Sequence, residues 1–175
     1  LIVLATGLSV SLRDKIGIER TVISRCHSIS AGFNVVPLGH PAFPFPSLTY
    51  HGERASDGIA YLTLFPIGDQ MRVNLMTYRT MDDPWLRHLR HNPAEALHEL
   101  LPSLRRITGD FTTRGQVHIR PADLYVSSGH RQAGCVLVGD AFLTSCPAAG
   151  TGGGKVLIDV ERLCNHYIPQ WLASE

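Results

Sequence analysis

The sequence predicts an α+β fold in two parts: an antiparallel sheet with helices against one face, and part of an α/β sheet contributed by both ends of the chain. Three observations carry this. Leu1-Ile2-Val3-Leu4 and Cys135-Val136-Leu137-Val138 are short continuous apolar runs, the pattern of buried strands in a parallel sheet. Between them lie four short segments rich in β-branched and aromatic residues, bordered by Gly, Pro or Asp, the pattern of antiparallel strands. A glycine-rich stretch, Gly150 to Gly154, opens a C-terminal run with helical apolar spacing. The expected division is 1–20 and 123–175 for the α/β part, and 21–122 for the antiparallel sheet.

In chain order, the first apolar run ends at the turn Ala5-Thr6-Gly7, and Val10 to Ile16 reads as a short helical connection. A chain whose first residues already form a buried strand reads as the later portion of something longer. Ser28 to Val36, Ser47 to Gly52, Ile59 to Phe65 and Met71 to Tyr78 are the antiparallel strands, and Gly68-Asp69 is a hairpin turn. His40 to Pro46 carries three prolines, whose missing N–H groups exclude it from a central strand, so it is expected as a surface loop. Asp83-Pro84 and Asn92-Pro93 each start a helix, with a capping side chain before a first-turn proline. In the second helix Ala94, Leu97, Leu100, Leu101 and Leu104 form an apolar stripe toward the sheet. A strand near Gln116 to Arg120 then leads to Leu124-Tyr125-Val126, a turn at Ser128-Gly129, and the second buried run. Val156, Leu157, Val160, Leu163, Cys164 and Tyr167 make the last helix amphipathic.

The 175 residues are 44% hydrophobic and 18% charged, with 16 basic and 15 acidic side chains and a net charge of +1. That length buries a core without disulfides or metals, and the apolar content excludes disorder. The near-neutral balance gives no electrostatic footprint for nucleic acid or an acidic membrane, and no apolar run is long enough for a membrane span. Cys26, Cys135, Cys146 and Cys164 show no CxxC spacing and follow no secretory signal, so reduced thiols and a cytoplasmic location are expected.

The stretch with chemical content is Gly139-Asp140-Ala141, then Pro147, then Gly150-Thr151-Gly152-Gly153-Gly154, then Asp159. It combines a strand ending in Gly-Asp with a helix whose first turn lacks side chains. At the carboxyl end of such a strand, a bare helix N-terminus offers N–H groups and the positive end of its dipole, and Asp140 offers an acceptor for sugar-like hydroxyls. The plainer reading makes Gly139-Asp140 a turn and the glycines an allowance for close helix packing. Nucleotide fingerprints fail here, because Lys155 stands where G-x-G-x-x-G needs glycine and Val156 where a P-loop needs Ser or Thr.

In order and spacing, Gly139-Asp140-Ala141, Pro147, Gly150-x-Gly152 and Asp159 resemble the second flavin-binding motif of the FAD-dependent aromatic hydroxylases, the group A flavoprotein monooxygenases similar to para-hydroxybenzoate hydroxylase. Leu1 to Gly7 with Arg13 resembles that family's preceding motif, although Thr6 stands where the family has Asp and Gly154 where it has Asn. The resemblance implies an antiparallel substrate-binding sheet between two returning parts of an FAD-binding α/β domain, without the N-terminal βαβ unit that holds the ADP half of FAD. It implies that Asp140 binds the ribityl chain, that Pro147 lines the flavin, and that Gly139, Gly150, Thr151, Gly152 and Gly153, with Gly7 and Arg13, belong to the cofactor site. The implied activity is hydroxylation of a small, usually aromatic, substrate through a flavin hydroperoxide, with NAD(P)H as reductant. The implied partners are that substrate and the N-terminal FAD-binding segment.

By strand alternation Tyr61, Thr63 and Phe65 share a face, as do Arg72, Asn74 and Met76 on the next strand. They form a substrate-pocket wall in one reading; in the other, Phe65 and Met76 belong to the core under the helices. No protein acid or base is evident, so no catalytic residue is assigned. No metal is expected: His88 and His91 lie among Arg87 and Arg90 on a basic helix face, and Glu95-x-x-His98 lacks a partner motif. Cys146 reads as a packing residue, with a reactive thiol as the other option. The alternatives in function are another flavoprotein oxidoreductase on the same scaffold, a reductase or halogenase-like protein, and a binding module that has lost flavin.

Overall fold

The computed structural model describes residues 1–173. In chain order the elements are β1 (Ile2–Leu4), α1 (Ser11–Lys15), β2 (Glu19–Pro37), β3 (Leu48–His51), β4 (Ile59–Ile67), β5 (Gln70–Thr77), α2 (Pro84–His91), α3 (Pro93–Leu100), α4 (Pro102–Thr108), β6 (Phe111–Ser128), β7 (Cys135–Leu137), α5 (Gly152–Arg162) and α6 (Ile168–Ala173). The chain divides into two compact units: Leu1–Arg25 with the chain from Asp123 onward, and Cys26–Ala122. β2 runs without interruption from Glu19 to Pro37, so one strand passes from the first unit into the second.

In the first unit β1 and β7 pair in parallel, Ile2 opposite Cys135, Val3 opposite Val136 and Leu4 opposite Leu137. The pairing joins the two apolar runs, but the expected burial does not follow. Leu4 is buried, whereas Leu1 and Ile2 are each 62% exposed and Val3 is also exposed. A two-stranded sheet covers too little of either face to bury both sets of alternating side chains. The C-terminal helix differs in the same way: of its apolar positions only Leu163 is buried, and Leu157 is 73% exposed. The helix also changes winding through a wider turn over Leu163–Tyr167.

In the second unit the sheet order is β3-β4-β5-β2-β6. The β3–β4, β4–β5 and β5–β2 pairs are antiparallel. The β4–β5 hairpin closes on Gly68-Asp69, with Ile67 opposite Gln70 and Gly68 at φ +62°, a value glycine adopts without strain. Alternation places Leu62, Leu64, Val73, Leu75, Phe33 and Val35 on one face, where they join Leu86, Leu89, Leu97, Leu101 and Leu104 in a single core.

Asp83 caps α2 by accepting the Trp85 N–H at 2.8 Å. The stripe from Ala94 to Leu104 is not one helix. Pro102 lacks an N–H and pushes Leu101 out of the helical region, to φ −125° and ψ 70°, so α3 ends and α4 begins with Pro102 in its first turn. The proline-rich segment is irregular as expected, but it is not wholly at the surface: Phe43 is buried in the core, with Phe45 stacked on it at 5.5 Å.

Candidate functional site

The site in the first unit begins where β7 stops. Val138 is still extended, and Gly139–Ala141 then form one tight helical turn. Gly139 is required twice over. Its φ is +61°, and a Cβ there would lie 2.9 Å from Val156 Cγ2. Both its backbone polar groups are held by α5. The Gly139 N–H donates to Asp159 Oδ2 at 2.8 Å, and Lys155 Nζ donates to the Gly139 carbonyl at 3.0 Å and to Asp159 Oδ2 at 2.8 Å. Partial burial works to raise the Asp159 pKa. The hydrogen bonds from Lys155 and the Gly139 amide, with the charges of Lys155 and Arg162, outweigh it and hold the carboxyl below its ordinary range.

Asp140 follows directly. Tyr125, itself buried, donates its hydroxyl to the Asp140 carbonyl at 2.7 Å. The half-buried Asp140 carboxylate accepts no hydrogen bond among the described residues. Arg13 is only 2% exposed and holds the same turn, donating through Nη1 to the Ala141 carbonyl at 2.6 Å and to Ser127 Oγ at 3.1 Å. Its Nη2 is buried without a partner among the described residues. Gly7 lies at φ +56° in the turn after β1, where the Ser9 N–H donates to the Thr6 carbonyl at 3.1 Å.

The glycine-rich start of α5 follows a short turn over Pro147–Ala149 and Gly150 at φ +65°. No side chain caps the helix at Thr151, and the Lys155 N–H reaches back to the Thr151 carbonyl at 2.9 Å. A Cβ on Gly153 or Gly154 would meet nothing within 4 Å, and one on Gly152 only Ser145 Oγ at 3.8 Å. Close packing within the described residues therefore does not explain these glycines. They leave first-turn amides uncovered by side chains, at the start of the helix whose Lys155 and Asp159 hold the turn that presents the Asp140 carboxylate.

In the second unit, the six side chains singled out by alternation lie on the face of the sheet opposite the helices and pair directly: Tyr61 opposite Met76, Thr63 opposite Asn74, and Phe65 opposite Arg72. Phe65 is 39% exposed and Met76 is half-buried, so neither belongs to the core under the helices. Their neighbours Leu64, Val73 and Leu75 do. The β2 residues that complete this face are not legible in the sequence, because register across strands is invisible in one strand's alternation. Ser30 stands opposite Met76, Gly32 opposite Asn74 and Asn34 opposite Arg72. Arg72 donates through Nη1 to Asn34 Oδ1 at 3.2 Å and through Nε to Asn74 Oδ1 at 3.3 Å.

The remaining candidates stay apart from these sites. Both His88 ring nitrogens face carboxylates of α3, Glu95 at 3.3 Å and Glu99 at 3.6 Å. Among the described residues no group of three or more His, Cys, Asp or Glu is placed to hold a metal. Cys146 is half-buried beside Pro147. A cleft of about 640 Å³, lined by Arg90, Asn92, Glu95, Thr113 and Gln116 among others, shares no residue with either site. Among the described residues, no helix is long and apolar enough to cross a membrane.

No family model matches the sequence, and no curated protein matches it. Solved structures do. A triple variant of the flavin-dependent brominase Bmp2 superposes with a TM-score of 0.70 at 16% identity, over 100% of this chain and 44% of that one. The p-nitrophenol 4-monooxygenase PnpA from Pseudomonas putida DLL-E4 gives 0.59 at 17% identity, over 92% and 38%. Aklavinone-11 hydroxylase, solved with FAD and aklavinone, gives 0.63 at 16% identity, over 92% and 29%. The chain thus spans less than half the length of each of these proteins. In its mixed architecture of a five-stranded antiparallel sheet, helices and a parallel strand pair, it has the fold of part of the flavin-dependent halogenases and hydroxylases.

Proposed function

We propose that this chain is the C-terminal part of an FAD-dependent monooxygenase that hydroxylates a small aromatic substrate, with NAD(P)H as reductant. The observation that carries the reading is the end of β7, where Asp140 offers an unengaged carboxylate on a turn locked to a helix whose glycine first turn has no internal packing role. These residues fit a flavin. Asp140 would accept hydrogen bonds from ribityl hydroxyls, Pro147 would line the ring, and the amides from Gly150 to Gly153 would face its pyrimidine end. The dipole of α5 favours negative charge there, which is where a reduced flavin carries it. Lys155, Asp159 and Arg13 hold the Asp140 turn in place. Bound flavin would supply the activation of oxygen, and the protein residues supply binding, orientation and charge stabilisation. The outer sheet face, with Tyr61, Thr63, Phe65, Arg72, Asn74 and Met76, would contact the substrate.

The likeness to the brominase favours one second reading, a flavin-dependent halogenase on the same scaffold. The test uses the protein in its natural full length. Bound FAD in the purified protein, NAD(P)H oxidation stimulated by phenolic ligands and a hydroxylated product support the first reading. A brominated or chlorinated product formed only with added halide supports the second. A colourless protein that takes up no FAD overturns both and leaves a binding module.

A further inference from the structure

In the first unit, the edge of β7 away from β1 is closed at both ends and open between them. The Ile2 N–H donates to the Gly134 carbonyl at 2.6 Å and the Val138 N–H to the Leu4 carbonyl at 3.1 Å, so alternation turns the backbone groups of Cys135 and Leu137 to the other edge. On that edge the Cys135 N–H donates to the Gln132 carbonyl at 3.2 Å, and the Gly139 N–H donates to Asp159 Oδ2 at 2.8 Å. Between these two bonds lie the Cys135 carbonyl, the Leu137 N–H and the Leu137 carbonyl, and none of the three has a partner among the described residues. The open edge thus reads acceptor, donor, acceptor.

It gives onto space with aromatic walls. Cavities of about 420 and 350 Å³ share Val136, Leu137, Phe142 and Trp171 in their lining, and no residue of β1 lines either. Tyr167, stacked on Trp171 with ring centroids 5.7 Å apart, lines the second. The charged lining is basic. Arg131 and Arg162 are exposed, and Asp159, the one acid among the described lining residues, already receives Lys155 and the Gly139 N–H on Oδ2. No residue assigned to the flavin lines either cavity. The pyrimidine edge of a flavin, an N–H between two carbonyls, has the same order as the strand edge, so like groups would meet. A flat ring with a donor beside an acceptor fits. Adenine offers its exocyclic NH₂ to the Cys135 carbonyl and its neighbouring ring nitrogen to the Leu137 N–H, and only a C–H falls at the third position. Guanine, with a carbonyl and then a ring N–H, opposes the first two positions.

We propose that the open edge of β7, walled by Phe142 and Trp171 and flanked by Arg131 and Arg162, is a binding site for an adenine nucleotide. The strand edge selects the base, the aromatic side chains cover its faces, and the two arginines attract the phosphate. The site is separate from the flavin reading and does not depend on it.

The test is calorimetric titration of the full-length protein, with flavin content recorded separately. AMP should bind, and GMP and purine riboside monophosphate, which lacks the exocyclic amine, should bind more weakly by roughly fivefold or more. Adenosine should bind more weakly than AMP, and Arg131→Gln with Arg162→Gln should remove that difference. Trp171→Ala should weaken AMP and adenosine alike, by roughly fivefold to a hundredfold. If that variant fails to fold, the ligand series on wild type decides alone. No AMP binding up to about 1 mM would overturn the site. So would equal affinity for AMP and purine riboside monophosphate, nicotinamide mononucleotide binding as tightly as AMP, or unchanged AMP affinity in a folded Trp171→Ala. Displacement of AMP by NADPH would identify the adenosine end of a reductant as the ligand, and its absence a free nucleotide; the site stands in both cases. A protein without flavin that binds AMP in this order would defeat the proposed function and leave the site in place.

Discussion

Asp159 accepts a hydrogen bond from the backbone N–H of Gly139 at 2.8 Å, so a helix carboxylate holds the end of a strand twenty residues earlier in the chain. The same oxygen receives Lys155 Nζ, which also holds the Gly139 carbonyl. One acid and one base on successive turns of α5 thus secure both backbone groups of the residue before Asp140.

Replacing Asp159 with Leu leaves the Gly139 N–H and the Lys155 ammonium without their acceptor. A loss of about 1–3 kcal/mol is expected from thermal or urea unfolding. Because the folded carboxyl is held below its ordinary pKa, the stabilisation is present above the ordinary Asp range and is lost as pH falls through the lowered folded value. Wild type should therefore lose stability in acid more steeply than Asp159→Leu.

Asp140→Ala should behave differently. Its carboxylate takes no internal hydrogen bond, so removing it should change stability by about 0.5 kcal/mol or less, as for other surface positions. FAD retention by the full-length protein should fall by the equivalent of roughly 1.5–3 kcal/mol, the worth of a hydrogen bond to a charged group. Flavin content after dialysis measures this, and unchanged content would remove Asp140 from the cofactor site.

Gly139→Ala should cost about 1–3 kcal/mol through its positive φ alone, with the contact to Val156 added. Val156→Ala in the same chain should recover the contact part and leave the backbone part. Full recovery in the double variant would show that packing, not φ, selects glycine here.

His98 supplies a pH dependence of its own. Burial, with the positive charge of Arg105, lowers its pKa against an opposing effect of Asp110. The fold therefore binds fewer protons than the unfolded chain. The stabilisation is complete above the ordinary imidazole range and declines as pH falls from there toward the lowered folded value. His98→Gln should flatten that part of the stability profile in urea titrations between about pH 7 and 5.

Residues 1–175 expressed alone should self-associate, since Leu1, Ile2, Leu157 and Leu172 are all more than 60% exposed. Sedimentation across a concentration series reads this. Leu157→Glu with Ile2→Lys should shift the distribution toward monomer.

The sequence by itself determined the elements whose cause is local. Asp83-Pro84 starts a helix because the carboxylate and the ring each suit the first turn, Gly68-Asp69 closes a hairpin, and alternation separates Tyr61, Thr63 and Phe65 from Leu62 and Leu64. It also marked Gly139-Asp140 and the bare start of α5 as a unit, because glycine in those positions signals backbone geometry that does not depend on distant contacts. Only the tertiary structure decided which face is buried, since alternation gives two faces and the helices choose between them. It likewise decided that Lys155, which looked like a broken motif, clamps Gly139, and that Arg13 is buried against the Asp140 turn. The Asn34–Arg72–Asn74 cluster belongs to the same class. Asn34 and Arg72 are 38 residues apart in sequence, and strand register across β2 and β5, a long-range property, makes them direct neighbours above a glycine.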